Sequence, residues 1–193
     1  MTVDRLLEIG GFATGAASVW LAVRQNPWNW PFGVANAVLL FVLFFRHRLY
    51  GDMSLQVLFA ALCLLGWYRW LFGGEAHSRL LVTRISRAGA IAYAVAGVVA
   101  TAIFTPYLRS VGDASPLLDA LTTVLSVEAQ YLMTRKVIEH WLIWMAADVI
   151  YVWLYADRGL YVTALLYVIF FAMCVAGWRD WWRDMSRDRA AAA

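Results

Sequence analysis

The sequence predicts an all-α integral membrane protein: seven transmembrane helices in a three-one-three arrangement, two parallel three-helix repeats joined by a connector helix. Three observations lead there. The chain is 63% apolar with a mean hydropathy of +0.63, far above the roughly 45–50% apolar share of soluble domains. Its uncharged runs are about 20 residues long, the length that crosses a bilayer's hydrocarbon core. And the sequence can be laid over itself at a constant offset.

Apolar runs bounded by charge, Pro or Gly give seven spans: 5–24, 27–45, 50–72, 87–105, 115–134, 138–157 and 159–181. The first lacks a basic start and a small-residue cleavage pattern, so it is expected to stay in the chain, with Gly10, Gly11 and Gly15 allowing close helix packing. Pro27, Pro31 and Gly33 at the start of the second offer a hinge, and Pro106 is expected to end the fourth. The resulting organisation is a first repeat at 1–72, a linker with the connector helix at 73–114, a second repeat at 115–182 and a cytoplasmic tail at 183–193, read as a headgroup-level anchor.

Five basic residues (Arg5, Arg46, Arg48, Arg109, Arg158) fall on one side of these spans and the other eleven, including Arg79, Lys136 and Arg189, on the opposite side. Because basic residues near helix ends stay cytoplasmic, the N-terminus is expected outside and the C-terminus inside. The charges are scattered between apolar runs instead of forming one basic face, which argues against a nucleic-acid partner. Cys63 and Cys174 match no zinc, haem or redox spacing. There is no P-loop, HExxH or GxSxG, so no catalytic residue, metal or cofactor is expected.

Leu21–Trp70 overlies Leu132–Trp181 without a gap at an offset of 111, and sixteen of the fifty positions are identical. They include Arg24/Arg135, Trp30/Trp141, Leu49/Leu160, Tyr50/Tyr161, Phe59/Phe170, Cys63/Cys174, Gly66/Gly177, Trp67/Trp178 and Trp70/Trp181. A three-span repeat ends on the side opposite its start. A second copy attached directly would be inverted, and the fourth span restores its orientation. Parallel repeats of this kind are a transporter architecture with substrate held where the halves meet.

Within that frame, Trp141, Trp144, Asp148, Tyr151 and Tyr155 are spaced 3, 4, 3 and 4, one stripe of a helix. Its rings can hold a flat heterocycle and its carboxylate can accept hydroxyl hydrogen bonds or face a cationic ring. A membrane-interface Trp belt is the competing reading of Trp141 and Trp144. Asp148 is costly near the bilayer centre unless it faces partners or water. Asp52, Gln56, Cys63 and Trp67 share a face and overlie Thr163, Tyr167, Cys174 and Trp178, so two matched faces are expected to enclose one cavity with Gln56 opposite Tyr167. Asn36 and Gln130 complete the candidate substrate contacts. Glu128 is left outside them, as a residue that snorkels or pairs with Arg135.

The chain resembles the Pnu vitamin transporters, most closely their PnuC-type nicotinamide riboside branch. The resemblance rests on NPWNWPFGVAN (26–36), LYGDMSLQ (49–56) and GWYRW (66–70), then EHWLIW (139–144), Asp148, GLYVTALLY (159–167) and GWRDW (177–181). It implies a SWEET-like three-one-three fold, a homotrimer in the bacterial cytoplasmic membrane, and facilitated diffusion of a vitamin that is trapped by a cytosolic kinase without required contact. One position departs: His140 stands where the riboside branch often has Asn, marking it as a candidate selectivity residue. Thiamine or riboflavin transport, a proton-coupled symporter, a passive binding subunit of an ATP-driven importer, and a membrane-embedded enzyme using Asp148 and His140 are the alternatives.

Overall fold

The computed structural model describes residues 2–74 and 80–192, with the side chains of Arg189, Ala191 and Ala192 excepted. Arg79 therefore lies outside the described residues, as does the side chain of Arg189. Seven helices follow in order: α1 Val3–Val23, α2 Asn29–Arg46, α3 Tyr50–Phe72, α4 Arg87–Ser110, α5 Pro116–Thr134, α6 His140–Asp157 and α7 Tyr161–Ala192. Local sequence sets several ends. The Thr2 hydroxyl caps α1 by accepting from the Arg5 N–H, Ser86 does the same for α4 through Gly89, and Pro116 opens α5 where its missing N–H is not needed.

Five of the helices, α1, α2, α3, α4 and α7, are long and apolar enough to cross a membrane on length and composition. α5 and α6, two of the seven expected spans, fall short of that measure. The reason lies in what they carry: Asp119, Glu128 and Gln130 on α5, and His140, Asp148 and a run of aromatic residues on α6. Two other boundaries differ. Pro106 does not end α4, which runs one turn further to Ser110. Lying in the last turn, it removes a donor without stopping the helix. α7 continues through the expected tail, because no Gly or Pro follows Gly177 and Arg183–Asp180 and Arg187–Asp184 pair along its surface at 3.7 and 3.6 Å.

α1 packs on α2 and α7, α2 on α3, α3 on α5, α5 on α6 and α6 on α7, closing a ring of six helices with α4 leaning on α5 from outside. The glycines of α1 permit the tight α1–α2 seam: a Cβ on Gly10 would lie 3.2 Å from Leu39, and one on Gly15 3.1 Å from Asn36. Glu128 faces Gly97 of α4, away from the ring's interior.

Four tryptophans close one end of the ring. Trp30, Trp70, Trp141 and Trp181 are all at most 2% exposed, with Trp30 edge-on to Trp70 at 5.2 Å, Trp70 tilted on Trp181 at 5.6 Å and Trp141 edge-on to Trp181 at 5.7 Å. Their contacts repeat at the sequence offset of 111. Trp70 Nε1 donates to the Met133 carbonyl at 2.9 Å, and Trp181 Nε1 donates to that of Ala22 at 3.0 Å. Trp30 lies against Gly66, and Trp141 against Gly177, at positions where neither glycine has room for a Cβ. The turns after α1 and α5 take a left-handed φ at Gln25 (52°) and Lys136 (51°), and those after α2 and α6 at Arg48 (59°) and Gly159 (73°).

Lys136, one of the eleven basic residues on the expected cytoplasmic side, does not face water: it is 1% exposed. Its Nζ donates to Gln25 Oε1 at 3.2 Å and lies 4.6 Å from the Trp70 ring centre, a desolvated cation over an indole face. Gln25 in turn donates to Asp184 at 2.8 Å, tying the α1–α2 turn to α7. The segment before α4 is pinned to this end too: Thr83 bridges Val137, and Glu139 accepts from Arg84 at 2.9 Å and from the Ile85 N–H at 3.0 Å.

Candidate functional site

A cavity of about 500 Å³ occupies the centre of the ring, bounded by residues of α1, α2, α3, α5, α6 and α7 and none of α4. That volume falls within the roughly 300–1,000 Å³ of small-molecule sites. Its floor is the tryptophan plug, through Trp30, Trp141, Ala22 and Met133. All eight candidate substrate contacts line it: Asn36, Gln56, Gln130, Trp141, Trp144, Asp148, Tyr151 and Tyr167.

These side chains are not equally available. Trp141 is 2% exposed and wedged against Trp181 and Gly177, so it forms floor, whereas the half-buried Trp144 stands one turn higher. Asn36 donates its amide to the Gly11 carbonyl, which ties α2 to α1. Gln130 Nε2 reaches Cys63 Sγ at 3.4 Å, and Cys174 Sγ donates to Asp148 Oδ2 at 3.6 Å. The cysteines thus face the cavity as weak partners of its polar groups. Tyr151 stacks on Tyr167 at 4.6 Å, and Tyr155, which does not line the cavity, stacks behind Tyr167 at 5.4 Å. This links α6 to α7 through an aromatic wall.

Three expectations meet a different geometry. His140 is neither a surface cap nor a cavity residue: it is fully buried, 4.5 Å from Trp141 and 4.8 Å from Trp181, with Nδ1 held 2.8 Å from the Val137 carbonyl. Any influence on selectivity from there is exerted through Trp141. Asp52 and Trp67 share the sequence face of Gln56 and Cys63 yet are exposed and off the cavity, as Thr163 and Trp178 are off it on α7. Each of those faces spans more turns than the cavity is tall.

Sequence reasoning missed Asn29, Ser18 and Ser126, all of which line the cavity. Ser18 Oγ donates to the Asn29 carbonyl at 2.9 Å, fixing the start of α2 beside α1. Their small or helix-start character gave no periodic signal. The offset could have found Asn29, because it overlies His140. Among the described residues no cluster of His, Cys, Asp and Glu is arranged to hold a metal ion.

Residues 5–183 match the family described as nicotinamide mononucleotide transporter. The chain belongs to that family. It is 29% identical to the nicotinamide riboside transporter PnuC of Escherichia coli (strain K12), over 97% of this chain and 89% of that one. It is 33% identical to the riboflavin/roseoflavin transporter RibM of Streptomyces davaonensis, over 94% of this chain and 86% of that one. A crystal structure of the vitamin B3 transporter PnuC superposes with a TM-score of 0.75 at 24% identity, covering 95% of this chain and 83% of the other, which establishes the shared fold. The nicotinamide mononucleotide transporter family thus agrees with the Pnu resemblance read from the motifs, and makes the chain a multi-pass membrane transporter.

Proposed function

We propose that the chain is a facilitative carrier for a B-vitamin precursor, nicotinamide riboside first, in the bacterial cytoplasmic membrane with its N-terminus outside and C-terminus cytoplasmic. The observation that carries this is the cavity of about 500 Å³ within six helices, walled by Trp144, Tyr151 and Tyr167 for a flat ring and by Asp148, Gln56 and Gln130 for polar substituents. In this reading α5 and α6 also cross the bilayer, their polar side chains turned to the cavity instead of lipid. The two halves are parallel repeats that rock about the cavity. The reciprocal Trp70–Met133 and Trp181–Ala22 bonds and the Lys136–Gln25 contact support a two-fold relation along the membrane normal.

The carrier holds no energy source in this proposal. A cytosolic kinase makes uptake directional, because a phosphate adds about two negative charges and the product no longer suits a chamber whose carboxylate is Asp148. The homotrimer implied by the resemblance is part of the same proposal.

Riboflavin is the second substrate reading, favoured by the 33% identity to RibM. Purified protein in liposomes without imposed gradients tests both. Labelled nicotinamide riboside should equilibrate to equal concentrations, exchange faster against unlabelled riboside inside, and ignore an imposed pH gradient. Accumulation driven by that gradient overturns uniport in favour of proton coupling, and binding without flux overturns the carrier reading. Stronger competition by riboflavin than by unlabelled riboside shifts the substrate to the flavin.

A further inference from the structure

Polar atoms without partners in a protein interior are rare, and each one calls for an explanation, a functional role among them. Among the described residues, Asn29 has no exposed surface and neither Oδ1 nor Nδ2 has a partner. Asn29 nonetheless is one of the residues bounding the cavity at its floor, beside Trp30, whose Nε1 is also buried and unpaired. The backbone around it is fully engaged: its N–H donates to the Asn26 carbonyl at 3.0 Å and its carbonyl accepts from Ser18. What remains is one acceptor and two donors on a planar amide held at a fixed depth. Its equivalent, His140, carries an unpaired Nε2 but sits behind Trp141 and off the cavity, so the second half offers no comparable group.

We propose that Asn29 is a specificity-determining residue that reads an uncharged donor–acceptor edge of the ligand, such as the carboxamide of a pyridine ring seated on the tryptophan floor. Along one edge a carboxamide presents its carbonyl oxygen and one of its two N–H groups, which pair with Nδ2 and Oδ1 together. A carboxylate in the same place offers two acceptors, sets a negative oxygen against Oδ1 and leaves that atom without a donor, so the site rejects it. This rests on the transport reading above and adds the part of the ligand that is recognised.

Binding of nicotinamide riboside and of its carboxylate analogue, nicotinic acid riboside, is measured on purified full-length protein, on Asn29→Leu and on Asn29→Asp, with thermal unfolding of each. The wild type should prefer the carboxamide by about tenfold or more. Asn29→Leu should lose about tenfold in carboxamide affinity and most of the preference, and Asn29→Asp, which keeps the volume, should lose as much. Equal wild-type affinity for the two compounds overturns the inference with no variant needed. So does either folded variant that retains wild-type affinity and preference. A wild type that binds neither compound overturns the nicotinamide riboside reading as well, so the two failures are distinguishable.

Discussion

At the floor of the cavity, Trp30 on Gly66 in the first three helices is matched by Trp141 on Gly177 in the last three, and each half sends one indole N–H to a carbonyl of the other. One turn higher the correspondence between α2 and α6 ends. Gly33 stands where the other half has Trp144, Ala37 where it has Asp148, and Leu40 where it has Tyr151, and all six line the cavity. Positions that hold the halves together kept their residues, because a packed interior penalises any change of volume. Facing the open chamber, α2 and α6 differ at these three positions, whereas α3 and α7 share Phe59/Phe170 and Cys63/Cys174. The result is a chamber whose α6 wall is aromatic and acidic where the matching stretch of α2 is small and apolar, so the two walls are not interchangeable to an asymmetric ligand.

The largest expected effects test the matched floor. Trp70→Ala and Trp181→Ala should each cost about 3–5 kcal/mol in stability by leaving a cavity in a packed cluster. Trp70→Ala should be the costlier, because it also uncovers the Lys136 ammonium held 4.6 Å above that ring. Denaturant unfolding in detergent measures both. A negligible cost for either would mean that the two sides of the plug are not energetic equivalents.

The next effects test the unmatched wall. Trp144→Gly gives the second half the residue of the first and should weaken substrate binding by about 1.5–3 kcal/mol, roughly tenfold to a hundredfold, through the lost apolar surface of one indole. Asp148→Ala, which likewise copies the first half at Ala37, should cost about 1–3 kcal/mol of binding by leaving ligand donors unpaired. Titration of purified protein reads both. If instead Ala37→Ser on the opposite wall reduced affinity as much as Asp148→Ala, the ligand would not be held mainly by the second half.

The same contrast explains what the sequence disclosed. The repeat is visible because the matched residues are Trp, Gly, Cys and Arg, types that shared apolar composition rarely aligns. The eight candidate contacts fall on one cavity because helical spacing sorts residues onto faces, and the ring turns one face of each helix inward. What stayed hidden depends on distant partners. Lys136 sits beside Arg135 and reads as a solvated loop charge; its burial follows from Gln25 and Trp70, far away in the chain. His140 begins a helix, where histidine is ordinarily near water, and is covered because Trp181 of α7, distant in the chain, packs against its ring at 4.8 Å. Asn29, flanked by Pro27 and Pro31, reads as a turn residue until Ser18 of α1 is seen holding its carbonyl.

That last contact supplies the smallest and most local comparison. Ser18 overlies Ala129, so the second half already lacks the hydroxyl that donates to the start of α2. There the corresponding turn is held by its own residue, with His140 Nδ1 against the Val137 carbonyl. Ser18→Ala therefore makes the first half resemble the second without supplying the histidine. It should lower stability by about 0.5–1.5 kcal/mol, the net worth of one hydrogen bond. Ala129→Ser, adding an atom where the chain is packed and 0% exposed, should lower stability rather than raise it. Thermal unfolding of the two single variants and the double variant reads this directly. If Ala129→Ser were stabilising, the second half would share the seam it was thought to have replaced, and the two turns would differ in residue type alone.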